Sequence, residues 1–115
     1  MKLIIAGSRT INPSVKDIAY QVYKFLIPIT EIVSGGARGV DTSAEKYALA
    51  ADRPLRIFHA NWDKYGKAAG HIRNKQMAQY GDALLLIWDG KSKGSKNMKE
   101  NMEKLGKPIY EVINE

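Results

Sequence analysis

The chain has 115 residues, which suits one compact domain able to bury most of the apolar surface it exposes when unfolded. Eighteen Lys and Arg against 12 Asp and Glu give a formal charge of +6, a balance that gathers phosphates, nucleotides or nucleic acid at the surface. There is no cysteine, so a disulfide scaffold and a thiolate metal site are excluded, and with only two histidines no metal centre and no cofactor are expected.

The apolar run Leu3 to Ala6, closed by Gly7, reads as a strand buried on both faces of a parallel sheet. It turns polar at Ser8 and Arg9, too soon for a signal peptide or a membrane span, so a cytoplasmic protein with no membrane attachment is expected. Asn12-Pro13 then opens a helix over about 13 to 26, with Val15, Ile18, Ala19, Val22, Tyr23, Phe25 and Leu26 at helical spacing. Ile32 and Val33 form a second strand ended by Ser34-Gly35-Gly36, and Ala44, Tyr47, Ala48 and Ala51 mark a helix over roughly 40 to 51.

Leu55, Ile57 and Phe58 give a third strand, followed by a polar loop from His59 to Gly70. A third helix runs from Ile72 to Tyr80 and leads through Gly81-Asp82 into Ala83 to Ile87, the most apolar run in the chain. A loop over 90 to 96 precedes a polar helix carrying Met98, Met102 and Leu105, and Ile109 to Ile113 closes the count at five strands and four helices. Strict alternation of strand and helix predicts an α/β fold: a three-layer Rossmann-like sandwich, with a five-stranded parallel sheet and helices on both faces. Residues 1 to 115 are expected to form a single domain, since no repeat, low-complexity tract or composition shift marks a linker.

In such folds ligands sit at the carboxyl ends of the strands, and four stretches fall there. Gly7-Ser8-Arg9-Thr10 offers a glycine for close backbone approach, with a hydroxyl and a guanidinium for phosphate. The strongest signal is Ser34-Gly35-Gly36-Ala37-Arg38-Gly39-Val40-Asp41. It follows a strand and opens a helix, so backbone N–H groups and the helix dipole converge on an anion, Arg38 can close over it, and Asp41 either joins the site or caps the helix. Gly70-His71-Ile72-Arg73-Asn74 contributes Arg73 and Asn74, after a loop holding Trp62 and Tyr65. Trp88-Asp89-Gly90 through Gly94-Ser95 supplies a flat ring, a carboxylate for ribose hydroxyls and a second glycine turn.

Taken in order, these motifs resemble the YspA- or YpsA-related branch of the SLOG superfamily, and the match spans nearly the whole chain. The resemblance implies a Rossmann-like fold that binds a nucleotide or a nucleotide-derived phosphate ligand. His71-Ile72-Arg73-Asn74-Lys75-Gln76-Met77 is similar to a segment of the lonely-guy phosphoribohydrolases, and Arg73 falls on their catalytic arginine. If Gly94-Ser95 aligns with the Gly-Thr of their second motif, Met98 stands where those enzymes carry a glutamate, and a thioether is neither acid nor base. Ser34 to Asp41 is similar to a segment of the DNA-processing protein A family, which implies single-stranded DNA as an alternative partner.

The expected function is therefore binding of a nucleotide or nucleotide-derived ligand, with a phosphoribohydrolase-like activity or single-strand binding as alternatives. Arg73, Asp41 and Asp89 are the candidates for any catalysis. Weak binding of single-stranded nucleic acid through the net charge is expected beside the small ligand, and self-association is left open.

Overall fold

A computed structural model describes residues 1–114. Five strands, β1 (Lys2–Gly7), β2 (Glu31–Ser34), β3 (Leu55–Ile57), β4 (Ala83–Trp88) and β5 (Ile109–Ile113), form one sheet in the order β3-β2-β1-β4-β5. Every pairing is parallel; Ile4 stands opposite Val33 on one side and Leu84 on the other. The predicted α/β sandwich is present, with helices on both faces.

Side chains alternate across a strand, and β1 shows what that does here. Leu3 and Ile5 join Leu85, Ile87 and Ile32 against α1 (Val15–Tyr23) and α2 (Val40–Ala50), where Ile18, Val22, Ala44 and Ala48 complete one core. Ile4 and Ala6 join Val33, Leu84, Leu86 and Trp88 against α4 (Ala69–Tyr80) and α5 (Lys93–Lys104), where Met77, Ala78, Met98 and Met102 complete the other. Because both faces are covered, β1 and β4 contain no charged residue beyond Lys2 at the edge, and their continuous apolar runs follow from that double burial.

Several boundaries differ from expectation for local reasons. The first helix begins at Val15, not Pro13, because Ser14 and Asp17 form a reciprocal capping box with both hydrogen bonds at 3.1 Å. It ends at Tyr23, not Leu26, as the chain tightens and approaches Pro28, which disfavours helix in the residue before it. The expected loop from His59 to Gly70 contains α3 (Trp62–Tyr65), capped by the Asn61 side chain on the Lys64 N–H, and a 3₁₀ turn at Gly66–Ala68. Consequently α4 starts at Ala69. The expected loop over 90 to 96 is shorter, because Ser92 caps α5 and places Gly94 and Ser95 in its first turn. Phe58 lies just past β3. Among the described residues, no helix is long and apolar enough to cross a membrane.

At the opposite end of α4 the chain uses a cation as a stopper. The Lys107 ammonium donates to the carbonyls of Ala78 and Gly81, each at 2.7 Å, and so satisfies acceptors that the helix leaves open.

Met102→Ala should destabilise the fold by about 2–5 kcal/mol, whereas Leu26→Ala should change stability by no more than about 0.5 kcal/mol. Met102 is fully buried and Leu26 is 98% exposed. Denaturant midpoints compared at equal slope provide the measurement, and comparable losses in both variants would contradict the assigned core.

Candidate functional site

From β1 the chain proceeds outward to β2 and β3, then returns across the sheet to β4, so strand order reverses between β1 and β4. The crevice beyond those two strand ends is the expected ligand position. Its walls approach closely because of two glycines. A Cβ on Gly7 would strike the Ile87 carbonyl of β4, and a Cβ on Gly39, at φ +74°, would strike the backbone of Ser8 and Arg9. Ser8 joins all three segments. Its N–H donates to the Ile87 carbonyl at 3.2 Å, its hydroxyl accepts from the Asp89 N–H at 3.2 Å, and its carbonyl accepts from the Val40 N–H at 3.3 Å.

The loop Ser34 to Asp41 carries its own internal acceptors. The Ser34 hydroxyl donates to Glu45 at 2.8 Å and accepts from the Gly36 N–H at 3.2 Å, while Ala37 donates its N–H to the Asp41 carboxylate at 3.1 Å. Two of the N–H groups expected to cradle phosphate are therefore engaged by the protein. Gly39, not Asp41, is the helix N-cap, and Asp41 turns back into the loop. Arg73 reaches across from α4, donating to the Gly35 carbonyl and, through Nε, to Asn74 Oδ1 at 3.0 Å. A Cβ on Gly35 would lie 2.8 Å from Asp41 Oδ2 and 2.9 Å from a terminal nitrogen of Arg73, so glycine is what lets these two groups share the spot.

Asp41 is 5% exposed and Arg73 8%. Burial pushes the Asp41 carboxyl up to about 6, against the Ala37 N–H and the Arg73 guanidinium, which both favour its ionised form. Burial likewise holds the Arg73 guanidinium below its ordinary value, opposed by Asp41 and reinforced by Arg9. Asp89 is pulled down by the backbone N–H groups of Lys91 and Ser92, at 2.8 and 2.9 Å, with the Ser8 hydroxyl assisting.

A cleft of about 460 Å³ lies over these groups, between the loop after β1 and the starts of α4 and α5. Of the residues expected from sequence, Gly7, Ser8, Arg9, Ala37, Asp41, Arg73, Asn74, Asp89, Gly94 and Ser95 line it. Gly35, Gly36 and Arg38 instead line an adjoining space of about 400 Å³, which shares Arg9, Ala37, Trp62 and Arg73 with the first. Ser34 is buried beneath the loop and Gly39 against Ser8, while Gly90 forms an exposed turn at φ +81° outside both spaces. Trp88 does not offer its ring: it is buried in the α4 and α5 core, with its indole N–H donating to Glu111 at 2.7 Å. Met98 lines the cleft as a buried thioether, and Asp41 and Asp89 are the carboxylates in the lining.

Sequence patterning missed Lys67 and His59, which line the two spaces; His71, part of the stretch at the start of α4, lines the cleft as well, and Trp62 lines both spaces and is 51% exposed. Lys67 and Trp62 arrive there through α3 and the turn after it, elements too short to leave a periodic signal. Tyr65 falls outside both linings.

The order of the strands, the glycine-linked loops and the cleft at the reversal point define a doubly wound, Rossmann-like α/β domain with a cleft at its strand ends. Residues 1–55 match the family described as DNA recombination-mediator protein A. The Gene 61 protein of Mycobacterium phage D29 is 32% identical over 84 residues, covering 68% of this chain and 67% of the phage protein. DNA processing protein A from Streptococcus pneumoniae superposes with a TM-score of 0.75 at 20% identity over 99% of this chain, a likeness of fold; the chain spans 50% of that protein's length. The chain belongs to the family of the Gene 61 protein.

Raising the pH from about 4 to about 6 should cost stability, because in that window folded Asp41 keeps a proton that the unfolded chain has released. The loss attributable to Asp41 is about 3 kcal/mol, complete above pH 6. Asp41→Asn retains an acceptor for the Ala37 N–H and should lack this component. Denaturation curves at roughly pH 4 and pH 7 provide the comparison, and an identical pH dependence in both proteins would refute the buried carboxyl.

Proposed function

We propose that this chain binds single-stranded DNA along the groove at the carboxyl ends of its strands. The observation that carries the reading is that the two spaces adjoin and share Arg9, Ala37, Trp62 and Arg73, which makes a groove longer than one nucleotide needs. Phosphates are met by the exposed cations Arg9, Arg38 and Lys67, whose side chains are not committed to internal hydrogen bonds among the described residues. Arg73 is a different kind of residue. It is tied to Gly35 and Asn74, so its first duty is to hold the loop, and it adds charge to the groove floor. Trp62 supplies a ring on which a base can stack. The kinship with a recombination-mediator family and the net charge of +6 favour a strand over a free nucleotide.

A second reading, capture of a free nucleotide or nucleotide-derived ligand, is favoured by the 460 Å³ cleft alone, a volume within the usual range of small-molecule sites. The resemblance to the YspA- or YpsA-related branch belongs with that reading. Under both, no release of free base is expected, because Met98 stands in the place of the phosphoribohydrolase glutamate when Gly94-Ser95 is aligned with the Gly-Thr of that motif.

Arg9→Ala and Arg38→Ala should each weaken binding of an oligonucleotide by about 1.5–3 kcal/mol and lower the slope of log affinity against log salt by about one. Melting temperatures should stay close to that of the parent, since both side chains are exposed. Titrations of an oligonucleotide and of a mononucleotide at roughly 50 and 200 mM salt decide between the readings. A mononucleotide that binds at both salts, with an oligonucleotide no tighter, would replace the strand with a small ligand; unchanged affinity in both variants would remove the groove.

A further inference from the structure

The groove does not end at the loop after β1. Thr10 and Asp89, which stand beside or within the cleft on the α4 and α5 side, also line a space of about 990 Å³ on the opposite face of the sheet. The topology leaves that space open. Helices α1 and α2 lie on one face over β1 and β2, and the chain then crosses to the other face for α4 and α5, so no helix beyond α1 shields the ends of β4 and β5 there.

The lining differs in chemistry from that of the cleft. Its floor is apolar, from Ile11, Ile87 and Val112, and its wall carries the amides of Asn12 and Gln21 together with the Tyr20 ring. Its charged residues are Asp17, Asp89 and Lys91. Both carboxylates are bonded to backbone N–H groups: Asp17 to that of Ser14, Asp89 to those of Lys91 and Ser92. Two carboxylates against one lysine make this a poor place for phosphate. Neutral amides, an apolar floor and an aromatic ring are what a base requires, through edge hydrogen bonds and stacking. Tyr20 is 62% exposed, and the Lys24 ammonium lies over one face of its ring, 4.4 Å from the centroid, so a stacked base takes the other face.

We propose that this space is a nucleobase subsite, reached by a strand that crosses the Ser8–Thr10 loop from the groove where Arg9 and Arg38 meet its phosphates. The inference rests on the single-strand reading and extends it to both faces of the sheet. The strand then straddles the β1 and β4 ends, with its phosphates met on the groove side and a further base seated on the other.

Oligothymidylates of roughly 3 and 12 nucleotides, titrated against the parent chain, Tyr20→Ala, Tyr20→Phe and Arg9→Ala, separate the subsite from the groove. The parent should bind the longer oligomer more tightly than its extra registers alone explain. Tyr20→Ala should weaken the longer oligomer by at least about fivefold and leave the shorter one unchanged, whereas Tyr20→Phe keeps the ring and the affinity. Arg9→Ala should weaken both. If Tyr20→Ala binds the longer oligomer as the parent does while Arg9→Ala is impaired, the subsite is wrong and the groove stands. If neither oligomer binds the parent, the single-strand reading fails and the subsite with it.

Discussion

The close approach of three backbones at Gly7, Ser8 and Gly39 is the constraint on which the strand ends depend. Without a side chain at position 7, β1 reaches the Ile87 carbonyl; without one at position 39, α2 docks on the loop beyond β1. Ser8 then ties β1, β4 and α2 with three hydrogen bonds from a single buried residue. The loop that presents Arg9 and Thr10 is held at its root while its side chains remain exposed. A fixed base beneath exposed cations suits the strand binding proposed above.

Beneath the groove the charges are arranged differently. Asp41 and Arg73 are buried together against Gly35, and much of their hydrogen bonding goes to Ala37, Gly35 and Asn74. A loop rich in glycine commonly signals N–H groups aimed outward at phosphate. Here Ser34 and Asp41 take two of those donors, and the glycines serve to fit Asp41 against Arg73 and α2 against β1. The proposed phosphate contacts therefore fall to side chains at the rim.

Most of the fold was legible because double burial writes itself into composition: Leu3 to Ala6 and Ala83 to Ile87 are apolar without interruption, as strands covered on both sides must be. Boundaries were less so. The Ser14 and Asp17 box is present in the sequence, but Asn12-Pro13 is an equally good start, and only packing chooses between them. Gly94 and Ser95 looked like loop residues because glycine usually interrupts a helix, and the Ser92 cap overrides that preference. For the site, Arg9, Asp41, Arg73 and Asn74 could be found from their place after strands or at helix starts. Trp88 could not be excluded, since a strand-end tryptophan points into the core or the crevice according to a parity that the unfolded chain does not reveal. Lys67 and Trp62 depend on a short helix and a 3₁₀ turn whose path is set by tertiary contacts.

The Asp41 carboxyl gives the groove a second currency, the proton. If the proposed strand seats a phosphate nearby, that charge would repel the ionised form and draw the carboxyl toward protonation, so that occupancy of the groove would take up hydrogen ions from the medium. By reciprocity, acidification would then tighten the hold on the anion as much as the anion tightens the hold on the proton. Heats of association collected in buffers of unequal ionisation enthalpy then differ by the number of protons exchanged, which makes the buried carboxyl visible in a calorimeter without touching its sequence.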